Sequence, residues 1–332
     1  MMTISRHGAR LTLALAVMIV PSVCAQAARG AQADKVLVSR AAVTLPAYRD
    51  IAERPLIRLY APQADYERAR ADGTFVMERI VYISDGLEVV ALLYRTRAAG
   101  TGRGTIVFNR GSYIRQNTAP EYLVTFHRLA AAGYTVLAPM YRGSEGAAGV
   151  DQMGGAELHD LMQVAELAAE LPAVNAQALF LLGESRGGMM VLQALRDGFP
   201  AQAAAVYGAP TDFFALFADD PGQYEPLADQ LWPGWRQRRD EILGRRSAVC
   251  WARRIDVPLL ILHGGADDSM PVTQSLALAR HLEALGKLYE LHIYAAENHM
   301  ISGRAADRDA SIAAWFRRHG PRMGADARND SH

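Results

Sequence analysis

The sequence predicts an α/β fold, a mainly parallel sheet with helices on both faces. Short apolar runs of strand length recur along the chain and alternate with helix-like stretches, the pattern of repeated βα units. The chain has 332 residues and 50% hydrophobic content, enough to bury one sizeable core. The residues with obvious chemistry fall just after apolar runs, at the strand ends where open α/β sheets place functional groups.

Taken in order, Phe75 to Ser84 and Leu87 to Tyr94 read as a hairpin across Asp85-Gly86, a favoured tight-turn pair. Strand Thr105 to Phe108 leads to a helix near Ala119 to Ala132 and a strand Thr135 to Ala138. A helix is expected from Glu157 to Leu171, where Leu158, Leu161, Ala165 and Leu171 share a face. Strand Ala178 to Leu182, a helix-like run Met189 to Leu195 and strand Ala203 to Tyr207 follow. Pro258 to Leu262 reads as a buried strand, and Tyr289 to Tyr294 alternates like another before a last helical segment. Between Thr211 and Arg246 the rhythm breaks into an insertion carrying Phe213, Phe214, Phe217, Trp232 and Trp235. It is expected to form a helical lid beside the active site, or else to pack its aromatics on the domain.

Ser185 stands in Gly183-Glu184-Ser185-Arg186-Gly187-Gly188, directly between an apolar strand and a helix. A nucleophilic serine needs such a sharp strand-to-helix turn to project its hydroxyl, and glycines relieve the crowding. Partners follow in chain order. Asp267 or Asp268, after the Pro258 to Leu262 strand, can be the acid, and His299, after the last strand, can be the base. The order Ser, Asp, His is that of α/β-hydrolases. An imidazole must take the serine proton and return it to the leaving group, and a carboxylate must fix its tautomer. His263 is expected to order the acid loop, Asn298 to orient the His299 loop, and Glu184 to be solvated or packed in its loop. His127, His159, His281 and His292 lie in ordinary helix or strand patterns.

The run His263-Gly264-x-x-Asp267-Asp268-x-x-Pro271-x-x-Gln274-Ser275 resembles the acid-bearing loop of the prolyl oligopeptidase family of serine peptidases. The Gly183 to Gly188 elbow, Thr105 to Ser112 and Tyr141-Arg142-Gly143-Ser144 are similar to that family's elbow, oxyanion strand and Tyr-Arg-Gly-Ser turn, and the likeness runs from about Phe75 to Arg318. The resemblance implies Asp267 as the triad acid beside Ser185 and His299. Where the family usually reads His-Gly-Gly or carries a donating tyrosine, this chain reads Asn109-Arg110-Gly111-Ser112. The expected oxyanion donors are the backbone N–H groups of Arg186 and Gly111. Family peptidases also carry a β-propeller, which needs at least four blades of about 40–45 residues. The segment from about Ala28 to Gly73 is too short for one, so a catalytic domain standing alone is expected.

Arg6, His7 and Arg10 precede an apolar stretch from Leu11 to Val20, then Pro21 and Ala25-Gln26-Ala27, which fits a signal peptide cleaved after Ala27. The expected organisation is a signal peptide at 1–27, an N-terminal extension at 28–73, a catalytic domain at 74–320 containing the 211–246 insertion, and a disordered tail at 321–332. A periplasmic or secreted protein with no membrane partner after cleavage follows. Cleavage would remove Cys24 and leave Cys250 as the only cysteine, expected as a buried small hydrophobe without a disulfide. The formal net charge of +0 gives no electrostatic case for nucleic acid. No clustered Cys/His set and no phosphate loop is present, so neither metal nor cofactor is implied. Oligomeric state leaves no mark on the sequence.

The function expected is a secreted serine hydrolase that cuts a peptide bond, or a small ester, through an acyl-enzyme on Ser185. The alternatives are a carboxylesterase with the same triad and a binding protein on a hydrolase scaffold, which would have lost a triad member.

Overall fold

The alternation is present in the computed structural model, which describes residues 35–98, 100, 102–112 and 116–321. The expected signal peptide and all but the first residue of the tail lie outside the described residues. β1 (Leu37–Ala42) is followed by α1 (Pro55–Tyr60) and α2 (Gln63–Ala71). β2 (Phe75–Ser84) and β3 (Leu87–Thr96) form the hairpin, with Ser84 opposite Leu87. Its turn residues both have positive φ, 48° at Asp85 and 75° at Gly86, which suits the right-handed twist of the strands.

β4 (Thr105–Asn109), α3 (Ala119–Ala131) and β5 (Thr135–Pro139) come next. The single helix expected over 157–171 is two, α4 (Leu158–Met162) and α5 (Val164–Glu170), meeting at Gln163. β6 (Leu179–Glu184), α6 (Arg186–Arg196) and β7 (Ala203–Tyr207) lead into α7 (Phe213–Asp219), α8 (Pro221–Leu231), α9 (Arg239–Arg246) and α10 (Ala248–Trp251). β8 (Leu259–Gly264), α11 (Thr273–Ala284), β9 (Tyr289–Tyr294) and α12 (Ala305–His319) complete the order.

The nine strands form one sheet in the order β1-β2-β3-β5-β4-β6-β7-β8-β9. The first three pairings are antiparallel, and the five from β5 to β9 are parallel. Alternate residues of the central strands serve opposite faces. Val107, Leu181, Val206 and Ile261 join the core under α4 to α11. Ile106, Phe180, Leu182 and Leu260 join the core under α1 to α3 and α12. All of β6 and β8 is buried, as expected for parallel strands covered on both sides.

Two expectations need correction here. The boundary at 73/74 separates nothing, because the described residues belong to one compact unit. β1 extends the sheet, Ile57 and Tyr66 are fully buried, and the N–H groups of Val36 and Leu37 donate to Glu170 at 2.7 and 3.0 Å. Cys250 is exposed rather than buried, since α10 turns its Ala248 inward instead. No helix among the described residues is long and apolar enough to cross a membrane.

Candidate active site

Ser185 joins β6 to α6 with φ 50° and ψ −126°, a backbone conformation that costs on the order of 1–3 kcal/mol for a non-glycine residue. The surroundings enforce it. Ser185 N–H donates to Tyr207 O at 2.8 Å, and its own carbonyl accepts from Gly188 N–H at 2.8 Å. A Cβ on Gly183 would strike the carbonyl of Gly187, and one on Gly187 that of Asn109. Only glycine lets the elbow close this tightly.

Asp267 and His299 come from the loops after β8 and β9, which are stitched together by Ala266 N–H donating to Glu297 O at 3.0 Å. His299 Nδ1 lies 2.7 Å from Asp267 Oδ2. Burial pushes the Asp267 carboxyl upward. The hydrogen bonds from His263 and His299, and the N–H of Met270, outweigh that and hold it well below the usual carboxylate range. An ionised carboxylate only accepts, so Nδ1 carries the proton and Nε2 is left as the acceptor. His263 sits beneath, as expected for an ordering residue. Its Nε2 is 3.1 Å from Asp267 Oδ2 and 2.9 Å from Met270 O, and its Nδ1 is 2.7 Å from Ser275 Oγ. Asn298 Oδ1 accepts from the N–H groups of Met300 and Ser302, each at 3.1 Å, tightening the turn after His299.

Ser185 and His299 line one cleft of about 440 Å³ and make no direct hydrogen bond with each other. Asp268 lines the same cleft but stays exposed and does not reach His299. The 211–246 insertion does not line it. Phe213, Phe217, Trp232 and Trp235 are buried in the core under the sheet, with Phe217 stacked on Trp232 at 5.9 Å. The lid expectation therefore yields to the packing alternative. The apolar wall of the cleft comes instead from Leu56, Leu59 and Tyr60 of α1.

The Gly111 expectation also fails. Its N–H donates to Glu184 Oε1 at 3.0 Å and is not free for an oxyanion. Glu184 is fully buried rather than solvated. Its carboxylate also accepts from Tyr60 and Tyr122, both at 3.0 Å, and from Tyr207 at 2.6 Å. Burial, with the charge of Glu184 adding to it, pushes all three phenols well above their ordinary value, so they stay protonated donors.

Arg186, whose N–H opens α6, keeps its side chain 1% exposed. It donates to Asp151 at 2.7 and 2.9 Å, to Glu157 at 2.7 Å and to Ser112 O at 3.1 Å. Arg110, also buried, donates to the carbonyls of Met140 at 2.9 Å, Gly111 at 3.1 Å and Ser112 at 3.2 Å. The Tyr141 ring lies against both guanidiniums, at 4.6 Å from that of Arg186 and 5.2 Å from that of Arg110. Arg142 of the same turn is held bidentate by Asp160, with Nε donating to Oδ2 and Nη2 to Oδ1. Asp151, Glu157, Tyr60 and Tyr122 escaped sequence reasoning. The one available signal was general: an arginine buried beside the elbow needs a counter-charge. Among the described residues, no group of three or more His, Cys, Asp or Glu is placed to hold a metal.

Comparison with known families matches residues 121–321 to the prolyl oligopeptidase family. The chain belongs to that family. It is a serine hydrolase of the α/β-hydrolase fold. It is 26% identical over 221 residues to a Bacillus subtilis (strain 168) protein named "Uncharacterized peptidase YtmA", covering 66% of this chain and 84% of that one. A second B. subtilis relative, "Uncharacterized peptidase YuxL", is 26% identical over 284 residues, and only 42% of its length is covered. Among solved structures, the acylaminoacyl peptidase of Pyrococcus horikoshii superposes with a TM-score of 0.64 at 20% identity, over 78% of this chain and 44% of that one. Esterase Est22 superposes with a TM-score of 0.65 at 15% identity, over 82% of this chain and 90% of that one.

Proposed function

We propose that this hydrolase cleaves peptide bonds through an acyl-enzyme on Ser185. The observation that carries the reading is the 2.7 Å bond from His299 to a buried, ionised Asp267, with His299 lining the same cleft as Ser185 on its strained elbow. Ser185 Oγ attacks the carbonyl carbon while its proton passes to His299 Nε2. The carbonyl π electrons move onto oxygen, then return as the bond to the leaving group breaks, and that group departs with the proton from His299. Water repeats the sequence and frees the acid. Asp267 holds Nδ1–H throughout and stabilises the imidazolium.

For the oxyanion, the Arg186 N–H at the start of α6 is one donor. The second is the N–H of Ser112. The Gly111 carbonyl is drawn to Arg110, and in a planar trans peptide the N–H of Ser112 then points the opposite way. Ser112 lines the cleft with Ser185.

A carboxylesterase reading is favoured by the superposition that covers 90% of esterase Est22, and esters need less help at the leaving group. A fluorophosphonate probe on the wild type and Ser185→Ala, followed by p-nitrophenyl esters and peptide anilides, decides between them. Ser185-dependent labelling with anilide cleavage establishes the peptidase, and ester turnover alone establishes the esterase. A folded protein without Ser185-dependent labelling refutes both and revives the binding scaffold. Export with cleavage after Ala27 is proposed from the charged, apolar and small-residue regions of the first 27 residues. N-terminal sequencing of the periplasmic and medium fractions tests it, and an intact Met1 in the mature protein overturns it.

A further inference from the structure

We infer that α1 is the specificity element of this enzyme: Leu56 and Leu59 form an apolar wall beside Ser185 that selects an apolar acyl group, and the Tyr60–Glu184 bond latches that wall in place. The inference rests on Ser185 being the nucleophile. α1 precedes the residues matched to the family, 121–321.

The helix has six residues, too few to hold together in water without tertiary support. Its supports are visible. Ile57 is fully buried in the core beneath it, and Arg54 Nη1 donates to Asn117 O at 3.1 Å. Tyr60 donates to Glu184 Oε1 at 3.0 Å and packs edge-on against Tyr122 at 5.5 Å.

Spacing then fixes which side faces the substrate. Leu56, Leu59 and Tyr60 are three and four residues apart, so they share one face of the helix, and all three line the cleft. Leu59 is nevertheless 36% exposed, and Leu56 is half-buried. Apolar side chains left open beside a nucleophile are surface that a bound substrate can cover. Met300, just after His299, adds to the apolar lining, and Asp268, Ser269 and Asn298 are among its polar members.

The latch ties this wall to the chemistry. Glu184 Oε1, one residue before the nucleophile, receives Tyr60, Tyr122 and the N–H of Gly111 together. One oxygen therefore sets the position of α1 and of the oxyanion loop relative to Ser185.

The test is a chain-length series, p-nitrophenyl acetate, butyrate and hexanoate, on the mature protein, with rates normalised to sites titrated by a fluorophosphonate. In the wild type kcat/KM is expected to rise by up to about fourfold per methylene that the wall buries. In Leu56→Ala/Leu59→Ala the rise is expected to fall below about twofold per methylene. Should the double variant melt early, Leu59→Ala alone, at an exposed position, gives the same comparison. A flat profile in the wild type, or an unchanged gradient in the variants, overturns the wall. Tyr60→Phe keeps the apolar surface but loses the latch, and is expected to raise KM for hexanoate more than for acetate. Equal KM changes for the two esters overturn the latch. A wild type without Ser185-dependent labelling overturns the nucleophile reading, and the wall with it.

Discussion

Replacing Gly208 by alanine is expected to disable the base while leaving every reacting group in the chain. Gly208 follows β7 with φ +57°, and a Cβ there would stand 2.9 Å from His299 Cε1, 3.0 Å from Nδ1 and 3.1 Å from the His299 carbonyl oxygen. Favourable carbon contacts lie near 3.5–4.0 Å, so the imidazole or the β7 end must give way by roughly half an ångström. The ring has little freedom to do so, because Asp267 holds Nδ1 at 2.7 Å. A misplacement of about 1 Å in a catalytic group costs on the order of 10²-fold, so half that shift should lower kcat by about tenfold to a hundredfold. The left-handed backbone adds about 1–2 kcal/mol of strain for alanine, seen as a lower melting temperature. The assay is steady-state ester hydrolysis normalised to titrated sites, with a thermal melt alongside. Turnover within about threefold of the wild type, at an unchanged melting temperature, would mean that this close approach does not set the ring.

Asp267→Asn is expected to keep the fold and lower kcat by about 10⁴, since the amide favours the wrong tautomer of His299; a loss below tenfold would remove Asp267 from the triad. Arg110→Lys cannot reach Met140 O, Gly111 O and Ser112 O together, so the Ser112 N–H should lose its aim and kcat should fall about 10²-fold, the size of one oxyanion donor. A change confined to KM would speak against Ser112. Burial pushes Glu157 up, but Arg186 and the N–H groups of Gln152 and Gly154 bring it down to about 2. A depressed carboxyl stabilises the fold fully above its unfolded value of roughly 4.3 and ceases to do so as pH falls through its folded value. Glu157→Gln should therefore flatten the loss of denaturant stability from pH 5 to pH 2, and an unaltered slope would contradict this. Cys250, exposed on α10 with its thiol pushed up by partial desolvation and by the charge of Asp212, should react with a maleimide in the native protein, faster at pH 9 than at pH 7. Protection until unfolding would argue against that exposure.

The alternation, the elbow and the order of the three triad residues were legible in the chain before any fold was known. Each rests on local chemistry. Parallel strands covered on both faces need continuous apolar runs, a type of turn with two positive φ values needs a pair such as Asp85-Gly86, and a serine on a sharp elbow needs glycines around it. What these pieces touch was settled by how whole elements pack. Gly111 reads as a free donor until the fold brings Glu184, 73 residues away, onto its N–H. Residues before β2 read as an extension until Tyr60 reaches Glu184 across 124 residues, and the aromatic insertion reads as a lid until its rings sink into the core. Periodicity reports which face of an element is apolar, and motifs report which backbone shapes are needed. Neither reports which distant donor will satisfy a buried carboxylate, because that partner is selected by the packing of whole elements against one another.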